Sequence, residues 1–339
     1  MSPLEAVTHL VGLQAQIPHN PYLALWSRLE GFDPADLSQL LLDRQVVRIV
    51  VMRATIHLVT AEDCLALRPL TQPVLDAELA RHPEHAPVLR ETDLAAVLDF
   101  ARPFLAEQPR TGTQLRAAMA ARFPDHPSPA ALAYACRCLL PLVQAPPRGV
   151  WGKSAQVSST TAEAWLGRPL ATHPSIDGVV LRYLAAYGPA TPADVATWCR
   201  LTGFREILER LRAQLVTFRD EHGRELFDLP DAPRPDPDTP APPRFLPEYD
   251  NVLLSHADRS RFAHPGSAKP VVVTEAPVRG AVLSDGASVG TWARAHGAVT
   301  VRLLVPLGRA ERNAIAVEAR AAAAFLTDDA ETDIEVRFS

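Results

Sequence analysis

Gln14-Ala15-Gln16 sets two carboxamides one residue apart, in a short joint between two amphipathic helical patterns. Leu4, Val7, Leu10 and Val11 recur at helical spacing and predict a first helix over about 3–13. Pro18 and Pro21 forbid its continuation, and Asn20-Pro21 predicts the next start, with Asn20 as N-cap and Pro21 at the first helical position. Residues 14–19 are therefore expected to be extended. In an extended chain positions i and i+2 face one side, so Gln14 and Gln16 would present their amides together, whereas a helix would set them about 200° apart. Two neighbouring amides offer several donors and acceptors to a water or polar ligand at once. The plain alternative is that they satisfy backbone groups at a helix end.

Two other polar constellations accompany the pair. Met52-Arg53-Ala54-Thr55-Ile56-His57-Leu58 alternates strictly, which predicts a strand with Arg53, Thr55 and His57 on a polar face and Ala54, Ile56 and Leu58 toward the core. Phe245-Leu246-Pro247-Glu248-Tyr249-Asp250-Asn251, followed by His256, Asp258, Arg259 and Arg261, reads either as an Asx-turn network or as a source of arginines for a phosphate backbone.

What must position these residues is a chain of 339 residues, long enough for two to four domains with real cores. No run approaches the ~18 apolar residues of a membrane span, and the N-terminus carries no basic stretch followed by an apolar one, so cytoplasm is the expected location. Cys64, Cys136, Cys138 and Cys199 fall within apolar helical patterns and form no C-x-x-C pair; buried thiols are predicted, with neither a disulfide framework nor zinc. His82 and His85 lie in a proline-bounded stretch without supporting ligands, which predicts solvent exposure and no metal. The absence of G-x-G-x-x-G and G-x-x-x-x-G-K-[ST] argues against dinucleotide and P-loop chemistry. A net charge of −5 gives no general affinity for phosphate, so any nucleic-acid contact must come from local patches. Of 34 basic residues only Lys153 and Lys269 are lysines, which restricts any Schiff-base chemistry to those two or the N-terminus.

Helices followed by a small hairpin recur along the chain. In the first ~70 residues, helices flank the glutamines, another covers 34–42, and a hairpin spans 46–59. Next come helices over 113–122 and 129–143 and a hairpin-like stretch around Arg148-Gly149-Val150-Trp151-Gly152. A third set has helices over 176–187, from the Thr191-Pro192-Ala193-Asp194 start, and over 205–218, with a hairpin turned by Glu221-His222-Gly223-Arg224 into a strand over 225–229. This order is that of a winged helix, and the repeat is architectural. The predicted organisation is winged helix 1 over 1–70, winged helix 2 over 71–170, winged helix 3 over 171–230, a Pro-rich linker over 231–243 and a β-rich unit over 244–339. In the last unit 271–273, 280–283, 289–292 and 299–304 read as strands and 309–325 as an alanine-rich helix.

The strings His9-Leu10-Val11-Gly12-Leu13-Gln14-Ala15-Gln16, Met52 to Val59, and Leu246-Pro247-Glu248-Tyr249-Asp250-Asn251 with its trailing Asp258-Arg259 together resemble the AlkZ-like winged-helix DNA glycosylases, in order and over nearly the whole chain. The resemblance implies an α+β fold of three tandem winged-helix motifs closed by a small barrel-like β-rich domain. It implies a monomer at the nucleoid, needing no cofactor, that acts on double-stranded DNA bearing alkylated purines and, in some members, interstrand crosslinks. The family's essential Gln-x-Gln pair matches Gln14 and Gln16, which are the expected catalytic residues; a sister group carries Gln-x-Asp there, and this chain does not. Arg53, Thr55 and His57 are the candidates for DNA contact near the lesion, with Arg259 and Arg261 on the backbone. Relatives carry some tens of residues ahead of the stretch matching Met1-Ser2-Pro3, including a helix expected to cover the apolar face that holds the glutamines.

An amide pair suits that chemistry. An N7-alkylated purine is cationic and leaves as a neutral base, so little acid catalysis is needed, and a water held under the anomeric carbon is what an enzyme can add. Carboxamides are poor bases, so positioning should outweigh proton abstraction. Scarcity of lysine fits direct hydrolysis without lyase activity, and a bulky crosslinked base calls for an open cleft without full base flipping. The competing reading is a non-catalytic winged-helix DNA-binding protein or transcriptional regulator, since that fold is more often found in regulators.

Overall fold

Local signals set the entry to the glutamine segment. Ser2 and Glu5 form a capping box around Pro3, and the helix Pro3–His9 follows. It stops earlier than predicted because Val11 (φ 54°) and Gly12 (φ 90°) turn left-handed. A Cβ on Gly12 would lie 2.6 Å from Val59 Cγ1, so only glycine fits this turn. The chain then enters β1 (Leu13–Gln14). The next helix is Asn20–Trp26, but its N-cap is His19. The predicted cap, Asn20, instead donates its amide to the Glu248 carbonyl at 2.7 Å.

The computed structural model describes residues 1–236, 238–265, 279–295, 298–327 and 336–338. The fold is a mixture of helix and strand. After the helix Pro34–Leu42, β2 (Val46–Val50) and β3 (Ile56–Thr60) form an antiparallel hairpin, with β1 on the outer side of β3 through Leu13 opposite Leu58 and Gln14 opposite His57. The predicted uninterrupted strand from Met52 is not formed. Arg53 and Ala54 both take φ 56°, Met52–Ala54 is a single 3₁₀ turn, and the strand resumes only at Ile56.

The sheet continues into the second unit. β4 (Arg110–Thr111), β5 (Leu142–Gln144) and β6 (Ser158–Thr161) complete six strands in the order β1-β3-β2-β5-β6-β4, every pair antiparallel. Helices Gln72–Arg81, Leu94–Glu107 and Pro129–Leu139 build a core of their own around Leu75, Val97, Leu132 and Cys136. A larger core joins the first unit to the third, with Val7, Leu13, Leu25 and Val47 in one cluster with Tyr183, Trp198 and Phe227. In the third unit, helices Ile176–Tyr187 and Pro192–Cys199, the latter started by a Thr191–Asp194 capping box, precede the hairpin of β7 (Val216–Arg219) and β8 (Glu225–Asp228). The boundaries predicted at 70 and 170 therefore cut through a shared sheet and a shared core. The apolar face around the glutamines is buried, with Val7, Val11, Leu13 and Ala15 0–2% exposed.

β9 (Arg244–Leu246), β10 (Gly280–Ser284), β11 (Ala287–Ala295), β12 (Ala298–Leu303) and β13 (Val336–Phe338) form a second sheet, against which the helix Arg309–Leu326 packs through Ile315, Ala319 and Ala322. The strand predicted over 271–273, like Lys269, lies outside the described residues. All four cysteines are buried and free. His82 and His85 are half-buried rather than solvated, their rings stacked 4.2 Å apart and both packed on Tyr134. Among the described residues no helix is long and apolar enough to cross a membrane.

The segment 246–251 is an internal tie. Asp250 caps the short helix Asn251–Leu254 and takes two bonds from Arg28, at 2.7 and 3.0 Å, with its own side chain fully buried. Asn251 donates to the Gly12 carbonyl at 2.6 Å and to the Tyr187 hydroxyl at 2.9 Å. The Asx-turn network read for this motif is formed, with Asp250 Oδ1 accepting from the Val252 amide at 3.0 Å. Removing one partner of a buried ion pair strands the other, so Asp250→Ala should lower unfolding free energy by about 3–5 kcal/mol, read as an earlier midpoint in urea.

Candidate active site

Gln14 is 7% exposed and Gln16 is exposed, and one hairpin holds both amide oxygens. Gln14 Oε1 accepts from Arg53 Nη2 at 2.8 Å; Gln16 Oε1 accepts from the Ile56 amide at 3.3 Å. Between them the Ala15 amide donates to the Ile56 carbonyl at 2.7 Å, and the Ala15 carbonyl accepts from Arg48 Nη2 at 2.9 Å. With both oxygens turned into the hairpin, the Nε2 groups are left as donors, and neither has a hydrogen-bond partner among the described residues.

Two guanidinium groups therefore clamp the segment, one through the side chain of Gln14 and one through the backbone of Ala15. Neither has a carboxylate partner among the described residues. Arg53 donates to the Trp198 carbonyl, to Gln14 Oε1 and to His57 Nε2 at 3.0 Å. Arg48, 1% exposed, reaches Gln144 Oε1 from Nε and Nη2, at 3.3 and 3.2 Å. Burial lowers both guanidinium pKa values to about 10, which still leaves them charged at neutral pH.

His57 is 0% exposed, its Nδ1 is 3.0 Å from the Thr55 carbonyl, and it must carry its proton there, leaving Nε2 to accept from Arg53. Burial first, and the Arg53 charge second, push its pKa down to about 3, so the ring is neutral and is no proton donor at pH 7. This corrects the expected polar strand face. The left-handed pair Arg53-Ala54 swings the arginine back under Gln14, and His57 follows it into the interior instead of facing DNA. Thr55, half-buried, donates to the Met52 carbonyl at 3.2 Å.

Arg259 and Arg261 belong to the 3₁₀ turn Ser260–Phe262, Arg259 as its N-cap. Arg261 spends two of its nitrogens on His256 Nε2 at 2.7 Å and the Pro189 carbonyl at 3.2 Å, while Arg259 is half-buried. Sequence reasoning missed Arg48, Gln144 and Trp198. Only Arg48 carries a signal, as the one charged residue within Val46–Val50. No group of three or more His, Cys, Asp or Glu side chains among the described residues is arranged to hold a metal.

The family profile described as DNA glycosylase AlkZ-like matches residues 7–325, which includes the glutamines, the hairpin and the 246–251 tie. The chain belongs to the AlkZ-like family. Its members are DNA glycosylases, so DNA is the substrate and the base–sugar bond the one hydrolysed. Among solved structures the AlkZ-like chain is similar to the Streptomyces sahachiroi DNA glycosylase AlkZ, with a TM-score of 0.80 at 21% identity, over 100% of this chain and 94% of that one. No curated protein matches.

The buried imidazole gives the AlkZ-like site a pH signature. Because the folded pKa of His57 lies near 3 and an unfolded histidine titrates near 6.5, the unfolded chain binds the extra proton between these values. Stability is complete above about pH 6.5 and falls as pH drops toward 3, by at most about 1.4 kcal/mol per pH unit from this group. Denaturant unfolding of wild type and His57→Gln at pH 5 and pH 7 should show a shallower pH dependence in the variant; His256, also shifted down to about 4, accounts for part of what remains.

Proposed function

We propose that this protein is a monofunctional DNA glycosylase that hydrolyses the glycosidic bond of N7-alkylated, cationic purines, interstrand crosslinks included, with a water positioned by Gln14 and Gln16. The observation that carries the reading is the clamp itself. A surface glutamine at a helix end needs no buried arginine behind it, whereas Gln14 is locked by one whose three acceptors come from three parts of the chain.

An amide oxygen has two lone pairs, so Gln14 Oε1 can still accept from a water while bound to Arg53. That contact also withdraws electron density and makes the oxygen a weaker base, which favours holding the water over deprotonating it. The Nε2 groups of the pair supply donors that fix the water oxygen from the other side. With His57 neutral and engaged at both nitrogens, the site lacks an imidazolium acid, and a base that already carries positive charge needs none. The exposed Gln16 suits an open cleft into which an enlarged base can be brought without full extrusion. We read the three helix-and-hairpin units as tandem winged helices that present this cleft to the duplex, with Arg259 and Arg261 on the backbone, and the protein as a monomer at the nucleoid.

Base release from a duplex with a single N7-methylguanine, then from a nitrogen-mustard crosslink, tests the assignment. Gln14→Ala and Gln16→Ala should each lower kcat by about 10²-fold, the scale of a misplaced reactant, with DNA affinity kept within about twofold. Loss of binding in step with turnover, or unchanged turnover, would contradict the role. Borohydride should trap no covalent protein–DNA adduct; a trapped species that disappears in Lys153→Ala would establish lyase chemistry instead.

A further inference from the structure

Beside the hairpin that holds the glutamines the second unit forms a half-open cavity of about 360 Å³, between the helices Gly112–Arg122 and Pro129–Leu139 and the strands β2, β3, β5 and β6. Val50, Ile56, Leu115 and Leu142 make its lining apolar, and His85 and Tyr134 add aromatic rings. A concave space of this size with a mostly apolar lining has the character of a ligand site. Two of its lining residues, His85 and Arg110, each also carry a buried nitrogen without a hydrogen-bond partner, His85 Nδ1 and Arg110 Nε, behind the surface that faces the pocket.

Charge points to the same kind of occupant. Arg110 is paired with Glu107 at 2.7 Å, but Arg116 and Arg137, both exposed and both lining the cavity, have no carboxylate partner among the described residues. Arg116 donates to Thr113 Oγ1, and Arg137 lies over the Tyr134 ring at 5.4 Å. In a chain of net charge −5, an apolar hollow bordered by two unneutralised guanidiniums complements a ring attached to a phosphodiester strand. The cavity also abuts the site. Ile56 lines it and holds Gln16 through its amide, and Gln144 lines it and holds Arg48, which grips Ala15.

We propose that this cavity receives a planar aromatic group carried on the DNA, with Arg116 and Arg137 meeting the strand's phosphates at its mouth. The ring is either the aryl part of a large adduct on the damaged base or a nucleobase displaced from the opposite strand. This inference rests on DNA as the partner and not on the water chemistry assigned to Gln14 and Gln16.

The test is affinity, measured by fluorescence anisotropy on duplexes whose lesion sugar is 2′-fluorinated to slow bond breaking, so that it stands even if no base is ever released. Three duplexes are compared: N7-methylguanine, N7-benzylguanine, and N7-methylguanine opposite an abasic analogue. Ala133→Phe places a ring in the cavity. If the adduct is the occupant, wild type should bind the benzyl duplex about tenfold tighter than the methyl one, and Ala133→Phe should abolish that ratio. If a displaced nucleobase is the occupant, Ala133→Phe should lose about tenfold on the two fully based duplexes and little on the abasic one. Equal loss on all three, or no loss, in a variant with the wild-type unfolding transition overturns the proposal. Should Ala133→Phe not fold, the surface variant Arg116→Glu with Arg137→Glu decides: the slope of log affinity against log salt should fall by about two, and an unchanged slope overturns the assignment.

Discussion

A guanidinium taken out of water without a carboxylate must be met by neutral acceptors at fixed positions, and Arg53 imposes that requirement on everything around it. Its acceptors are the Trp198 carbonyl from the third unit, the Gln14 amide from the N-terminal joint, and His57 from its own hairpin. Each is constrained in turn. Trp198 must sit at the end of its helix where a carbonyl is free, Gln14 must turn its oxygen inward, and His57 must stay neutral with its proton on Nδ1. Arg53 itself reaches them only from the left-handed conformation at φ 56°, ψ 17°, so the break between β2 and β3 is part of the same arrangement.

Arg48 applies the same logic one layer away. A charge in the middle of an apolar strand is costly unless it holds something, and what it holds is the carbonyl of the residue between the two glutamines. The side chain of Gln14 and the backbone of Ala15 are thus fixed independently, while Gln16 keeps one longer bond and its exposure. The pair combines a member held on a buried guanidinium with one held by a single longer bond.

Elements with local signals were legible in the chain. Pro18 and Pro21 after the glutamines, the start at Pro34, and the Thr191–Asp194 capping box all lie within a few residues of what they determine, and Pro34–Leu42 and Ile176–Tyr187 form where their periodicity places them. Features set by distant partners were not. Asn20 has the composition of a cap, yet its amide answers to a carbonyl 228 positions on. Strict alternation through 52–58 assumed one continuous strand, and a positive φ at Arg53 and Ala54 leaves no mark in residue type, so the burial of His57 was invisible. The two histidines near Tyr134 looked solvated because the prolines around them read as a loop, whereas their neighbours in space are rings. Of the groups brought together at the candidate site, Gln14, Gln16, Arg53 and His57 stood out in the sequence, while Arg48, Gln144 and Trp198, joined by contacts distant in the chain, did not.

The bond from Asn251 to the Gly12 carbonyl joins groups 239 positions apart, and it lands two residues ahead of the first glutamine. During synthesis the N-terminal helix and hairpin emerge first and can pack on each other. The turn that aims Gln14 stays without this brace until about three quarters of the chain has left the ribosome. A prematurely ended product that stops in the proline-rich stretch before residue 244 would therefore carry both glutamines and the whole hairpin, yet lack the far end of the tie that sets them.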